Sequence, residues 1–289
     1  MATFSGTEVS RGVPNEATAV ASLGDHLVAF RDGSGDPEKN VFTVLHVPSG
    51  NVRMFKGLND ADSIPAGVVG AAGRVWTTRR TNVGTTSLWS VDPVTGEVFG
   101  SHGACGSIAV YVGGRVWTNG GPNGPRGWSP TAEDWVDAAT NFNAIGVCDG
   151  RLFGRPSSSQ VVELNPSTGA VVATYPTTFT TTRITRGATI GDDIWWPSTS
   201  STADMHRFNV TTGQLHAVNA TPPGMPTLTT IVAGPDGNIW SLLNDKIVVF
   251  NPDTLQWASG PVPSTRTPWA ALTFHDGSPW LISSDPETE

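Results

Sequence analysis

The chain has 289 residues, 38% hydrophobic and only 15% charged, with a net charge of −8. That length allows a sizeable core. Abundant but aperiodic Gly (33) and Pro (22) indicate a turn-dense globular protein, neither collagen-like nor disordered. Only three residues are Lys, no basic run exists and no apolar stretch approaches ~18 residues, so nucleic-acid binding and a membrane span are not expected.

The start, MATFSGTEVSRG, lacks a charged segment leading into an apolar one, so synthesis in the cytoplasm without a signal peptide is expected. Downstream, one phrase recurs: a small or acidic residue, Gly or Asp, one residue, an aliphatic, an aromatic. It reads AGRVW (72–76), GGRVW (113–117), DGRLF (149–153), DDIW (192–195), DGNIW (236–240) and DGSPW (276–280), with a weaker GDHLV (24–28). Its last residues are Val28, Trp76, Trp117, Phe153, Trp195, Trp240 and Trp280, spaced 42 residues apart on average. A second phrase keeps step: VDPVTG (91–96), LNPSTG (164–169), FNVTTG (208–213) and FNPDTL (250–255), with looser VPSG (47–50) and WSPTA (128–132). In these turns Asp or Asn accepts backbone hydrogen bonds, Pro fixes φ and Gly takes positive φ.

Each repeat reads as four short strands, here a to d. GVVGAA (67–72), RVWTTR (74–79), SLWSVD (87–92) and EVFGSH (97–102) are one set; TTIVAG (229–234), IWSLL (239–243), KIVVF (246–250) and QWASG (256–260) are another. Units of four strands and about 40–45 residues are the signature of β-propeller blades. The predicted fold is an all-β, seven-bladed β-propeller, one domain over 1–289. Its blades fall near 17–57, 58–102, 103–138, 139–176, 177–220, 221–262 and 263–289, the last joined by 3–11. The segment SGTEVSR (5–11) echoes TGEVFG (95–100), so the N-terminal strand is expected to complete the last blade and close the ring. The strand-b aromatics pack between neighbouring blades. Cys105 and Cys148 fall in adjacent blades, too far apart to bridge, and are expected as free, buried thiols.

The blade phrase DGNIW…KIVVFNPDT resembles the virginiamycin B lyase family and related NHL-type propellers. The resemblance implies seven blades and, for the lyases, metal-assisted elimination that opens a cyclic depsipeptide, using His and Glu near inner-strand starts of the last blades. At the matching positions stand Thr229, Trp269 and Ser284, so the lyase's catalytic set is not expected here. The inner strands start at Glu16, Pro65, Gly106, Asn141, Arg183, Thr229 and Trp269, a poor acid–base set. The six His are scattered, without metal-ligand spacing. Asp32, Ser34, Asp36 and Glu38 alternate in the loop 31–40 and form a weak Ca²⁺ candidate that lacks the EF-hand Gly and Glu. No other metal or cofactor is expected.

The a–b and c–d turns are short and uniform, whereas the b–c and d–a loops (32–40, 79–87, 119–127, 197–206) are long and unlike one another. Variation confined to one face marks a binding face. The candidates there are Arg79, Arg80, Asn82, Asn123, Arg126, Asn141, Arg155, Arg183 and Trp269. The expected function is a non-catalytic binding or assembly module that meets a protein or glycan through these loops. Its Thr-, Gly- and Ala-rich, Lys-poor style fits a phage virion (tail) component contacting a host surface. The alternatives are a lyase- or hydrolase-like enzyme with its site in the central funnel, and a lectin-like propeller stacking sugars on Trp269 or Trp128.

Overall fold

The structure is a computed structural model that describes residues 17–31, 41–56, 64–80, 86–120, 124–178, 185–200, 203–218, 231–243, 246–260 and 269–283. The first sheet holds β1 (Ala17–Leu23), β2 (His26–Arg31), β3 (Val41–His46) and β4 (Asn51–Lys56). The second holds β5 (Ile64–Ala71), β6 (Arg74–Arg80), β7 (Thr86–Val91) and β8 (Val98–Phe99). The third holds β9 (Ala109–Val112), β10 (Arg115–Thr118), β11 (Arg126–Ser129) and β12 (Asp134–Asp137). The fourth holds β13 (Ala144–Cys148), β14 (Arg151–Ser157), β15 (Gln160–Leu164) and β16 (Val171–Pro176), and gains β17 (Thr185–Arg186) as a fifth strand. The fifth holds β18 (Ala188–Ile190), β19 (Asp193–Ser200), β20 (Ala203–Asn209) and β21 (Leu215–Val218). The sixth holds β22 (Ile231–Ala233), β23 (Ile239–Leu243), β24 (Lys246–Asn251) and β25 (Gln256–Ser259). Last come β26 (Trp269–His275) and β27 (Ser278–Ser283), a two-stranded hairpin.

Within each sheet consecutive strands pair in chain order, except that β17 pairs with β13. These are the four-stranded antiparallel blades of an all-β propeller. The count corrects the expectation: six blades are complete, not seven. The seventh repeat contributes strands a and b alone among the described residues. The segment 3–11, expected to complete it, lies outside the described residues. By contacts the chain groups into two compact units. One is drawn from 1–104, 244–247 and 260–289, the other from 105–243 and 248–259.

In the first unit, Val28, Phe30, Phe42 and Val44 of the first blade pack with Val75 and Val91 of the second. Val20, Leu27 and Leu45 pack with Ala271 of the hairpin. In the second unit Trp117 joins Ile145, Leu152 and Val162, Phe153 joins Ile194, Trp196 and Phe208, and Trp195 joins Ile239, Val248 and Phe250. Val28, Trp76, Trp117, Phe153 and Trp195 are each 0% exposed, so the strand-b end of the repeated phrase is core, as its spacing predicts. Alternate residues of one strand serve opposite neighbours because the side-chain period is two.

Several c–d turns lock their blade to the one before it. Asp92 Oδ1 accepts from the Val94 and Thr95 amides, and Asn165 and Asn251 repeat the pattern. The turn Gly then adopts positive φ, +77° at Gly96 and +68° at Gly213. A Cβ on Gly96 would stand 1.9 Å from the Phe55 ring of the preceding blade, and one on Gly213 2.4 Å from Tyr175. The glycine therefore answers a close approach as well as a backbone angle.

The Arg of the repeated phrase makes the second lock. Arg115 pairs with Asp134 at 2.8 Å within its blade and donates from Nε to Ser167 O in the next blade's turn at 3.1 Å. Arg151 binds Glu163 through both nitrogens, at 2.8 and 2.5 Å, and reaches Val210 O of the next blade at 3.3 Å. The Tyr175 hydroxyl completes this cluster, donating to Glu163 at 3.0 Å. Hydrogen bonding to Arg151 holds the Glu163 carboxyl below the usual carboxylate range. Arg74 lies 3.4 Å over the Phe99 ring. In the fifth blade the charges are exchanged: Asp193 takes the Arg position and meets Arg207 of strand c at 2.6 Å.

One seam departs from blade geometry. β17 pairs in parallel with β13, Ala144 opposite Thr185 and Ile145 opposite Arg186, and the Gly187 amide donates to Ile145 O at 2.8 Å. Trp196 lies beneath, its indole donating to the same carbonyl at 3.3 Å. A Cβ on Gly146 would be 2.7 Å from Ile194 and one on Gly187 2.6 Å from it. Two glycines let neighbouring inner strands close over one indole.

Candidate binding face

Most of the long loops lie outside the described residues, among them Asn82, Asn123 and Arg183, the Ca²⁺ candidates Asp32, Ser34, Asp36 and Glu38, and the lyase-matched Thr229 and Ser284. Arg80 closes β6 and Trp269 opens β26. The remaining four candidates are described in full, and three of them lie in strands.

Arg79 is 1% exposed and Arg155 2% exposed. Both were expected on loops. They are buried because β6 runs on to Arg80 and β14 to Ser157, which draws them into the sheets. Arg155 stands two residues beyond Phe153 on β14, and His206 two residues from Phe208 on β20. A step of two returns to the same face, so this pair forms the layer above the Phe153–Phe208 contact of 5.7 Å. Burial lowers the Arg155 pKa to about 10. Burial, with the Arg155 charge added, lowers that of His206 to about 4. A neutral imidazole against a guanidinium is a packing layer, not an acid–base couple. Arg126 lies 4.3 Å over the Trp135 ring and 3.3 Å from Asp137 Oδ1, which occupies both its faces of chemistry.

Asn141 alone of the four stands exposed, and the structure explains how. The segment reads Asn141–Phe142–Asn143. Phe142 is 1% exposed and packs so tightly under β14 that a Cβ on Gly154 would be 2.7 Å from its ring. Backbone bonds pin the segment from both sides: Gly120 N to Phe142 O at 3.0 Å, Asn143 N to Arg155 O at 3.2 Å. Asn119 ties it further, its Nδ2 donating to Asn143 O at 3.2 Å while its Oδ1 accepts from Ile108 N at 2.9 Å. With the middle residue anchored inward, alternation turns Asn141 and Asn143 outward, and both are exposed. Their Oδ1 atoms lie 3.7 and 3.5 Å from where a Gly120 Cβ would be, and Asn141 Oδ1 lies 3.6 Å from that of Gly124. The amides thus converge over bare glycine backbone.

Arg186 of β17 stands beside Ile145, two residues from Asn143. It is exposed. Two carboxamides, each donor and acceptor, and a five-donor guanidinium suit hydroxyl and carboxylate groups. Among the described residues no three His, Cys, Asp or Glu side chains gather as a metal site, and no helix is long and apolar enough to cross a membrane. The sequence reading missed Asn143, Arg186 and His206. The Asn-aromatic-Asn alternation before strand β13 is the signal that could have found the first.

Cys105 and Cys148 are free and buried. Burial pushes the Cys105 thiol up to about 12 and raises that of Cys148.

No protein-family model and no curated protein matches the chain, so the resemblance to the virginiamycin B lyase family finds no support there. Among solved structures 1030 chains match. A crystal structure of the computationally designed Ika8 protein is similar at 13% identity and a TM-score of 0.56, over 94% of this chain and 98% of that one. Likeness at that identity carries the fold alone, and so widely shared a fold brings no activity with it.

Proposed function

We propose that the chain is a non-catalytic binding or assembly module, meeting a protein or glycan partner at the strand ends that carry Asn141, Asn143 and Arg186. What supports the reading is the division of labour in the repeats. Residues that recur, the strand-b aromatics, the turn glycines and the Arg clamps, are consumed by packing and by blade-to-blade bonds. The non-recurring Asn–Phe–Asn segment instead spends one buried aromatic to hold two amides in solvent. Preorganised amides beside a guanidinium recognise polar ligands at low entropic cost. The partner offers hydroxyl and carboxylate groups, as a host-surface glycan or a polar protein face does, which agrees with a virion-surface role.

The test is capture on arrays of neutral and uronic-acid glycans and on candidate host-surface extracts. The wild type is compared with Asn141→Ala/Asn143→Ala and with Arg186→Ala. Loss of a saturable wild-type signal in both variants is expected. Equal capture by wild type and variants refutes the placement of the site.

A further inference from the structure

In the first unit, two imidazoles face each other across a strand pair. His26 opens β2 and His46 closes β3, and the two are directly paired across the strands. Their ring centroids are 5.0 Å apart, with planes inclined by 52°. We propose that His26 and His46 chelate a borderline divalent transition metal such as Zn²⁺, Ni²⁺ or Cu²⁺, with water in the remaining positions.

The separation is the first argument. With a metal–nitrogen bond of about 2.0–2.1 Å, a bound metal sits about 3.2 Å from each imidazole centroid. Two such rings on one ion are then roughly 4.5 Å apart at a right angle and roughly 5.2 Å apart at the tetrahedral angle. The observed 5.0 Å falls inside that window, so both rings can reach one ion with little movement.

The outer contacts are the second. His46 Nδ1 lies 2.7 Å from Ser49 Oγ. With Nδ1–H donating to that hydroxyl, the Nε2 lone pair is turned outward, as metal-bound His is ordinarily held. His26 has no hydrogen-bond partner among the described residues, so both its nitrogens are available. Of the charges around it, Asp25 and Asp92 favour a cation and Arg53 opposes one. Arg53 is drawn aside, its Nη2 donating to Pro93 O at 3.0 Å and Val94 O at 2.8 Å. Hard cations that prefer an oxygen shell have nothing to gain from two imidazoles.

The full chain, stripped of metal, is titrated calorimetrically with zinc chloride and nickel chloride at pH 7.5, with magnesium chloride as control. One equivalent of Zn²⁺ or Ni²⁺ is expected, and no Mg²⁺. His26→Ala and His46→Ala each lose at least about tenfold in affinity, and Ser49→Ala loses less. Thermal melts of the metal-free variants confirm that they fold, since each replaces a half-exposed side chain. Absence of saturable Zn²⁺ and Ni²⁺ binding overturns the proposal. So does binding that survives unchanged in His26→Ala, which would place the metal on other histidines.

Discussion

Replacing Gly96 by Ala separates two costs that sequence cannot tell apart. Both Gly50 and Gly96 sit in c–d turns at positive φ, +68° and +77°. Either Ala is strained there by about 1 kcal/mol. Gly50 has nothing within 4 Å of its added methyl among the described residues, whereas Gly96 meets the Phe55 ring at 1.9 Å. Phe55 is itself stacked on Phe42 at 5.2 Å, so it has little room to yield. The forced overpacking adds about 1–3 kcal/mol. Gly50→Ala is thus expected to cost about 1 kcal/mol and Gly96→Ala about 2–4 kcal/mol, read from urea denaturation midpoints at constant slope. In a Phe55→Ala background the Gly96→Ala cost falls back to about 1 kcal/mol, because the obstructing ring is gone. If the two glycine substitutions cost the same, or if Phe55→Ala leaves the Gly96→Ala cost unchanged, the turn does not dock on the preceding blade as described.

His206 makes stability fall with acid. Its folded pKa of about 4 lies below the ordinary 6.5, so the unfolded chain takes up the proton first. Its contribution is whole above pH 6.5 and is lost as pH falls to about 4, a swing of about 3 kcal/mol that His206→Gln should flatten in pH-dependent melts. Cys105 and Cys148, buried with raised pKa values, should stay silent to a disulfide reagent at pH 8 in the native protein. Both should react once the chain is unfolded in guanidinium, and fast native reaction at Cys105 would contradict its burial.

The blade rhythm was legible because each repeat must bury its own aromatic: Trp76, Trp117, Phe153 and Trp195 mark strand b without any long-range information. The blade count was less so. A terminal repeat looks the same in sequence whether its outer strands exist or not, and β26–β27 stands as a hairpin among the described residues. Arg79 and Arg155 were read as loop anchors because turn residues follow each of them, yet the strands run past them. The role of Arg115 and Arg151 was hidden for a different reason. Their second partners are backbone carbonyls, Ser167 O and Val210 O, and a carbonyl leaves no trace in residue identity. At the proposed binding face Asn141 was legible as an inner-strand start. Asn143 and Arg186 were not, since their exposure depends on Phe142 below and on the β13–β17 seam beside them.

The Arg clamps also give the chain a direction. Arg115 waits for a carbonyl 52 residues further on, and Arg151 for one 59 residues further on. On the ribosome each of these blades therefore emerges with its clamp open, and closes only when its successor's turn has been synthesised. For these two blades, maturation lags translation by about one repeat.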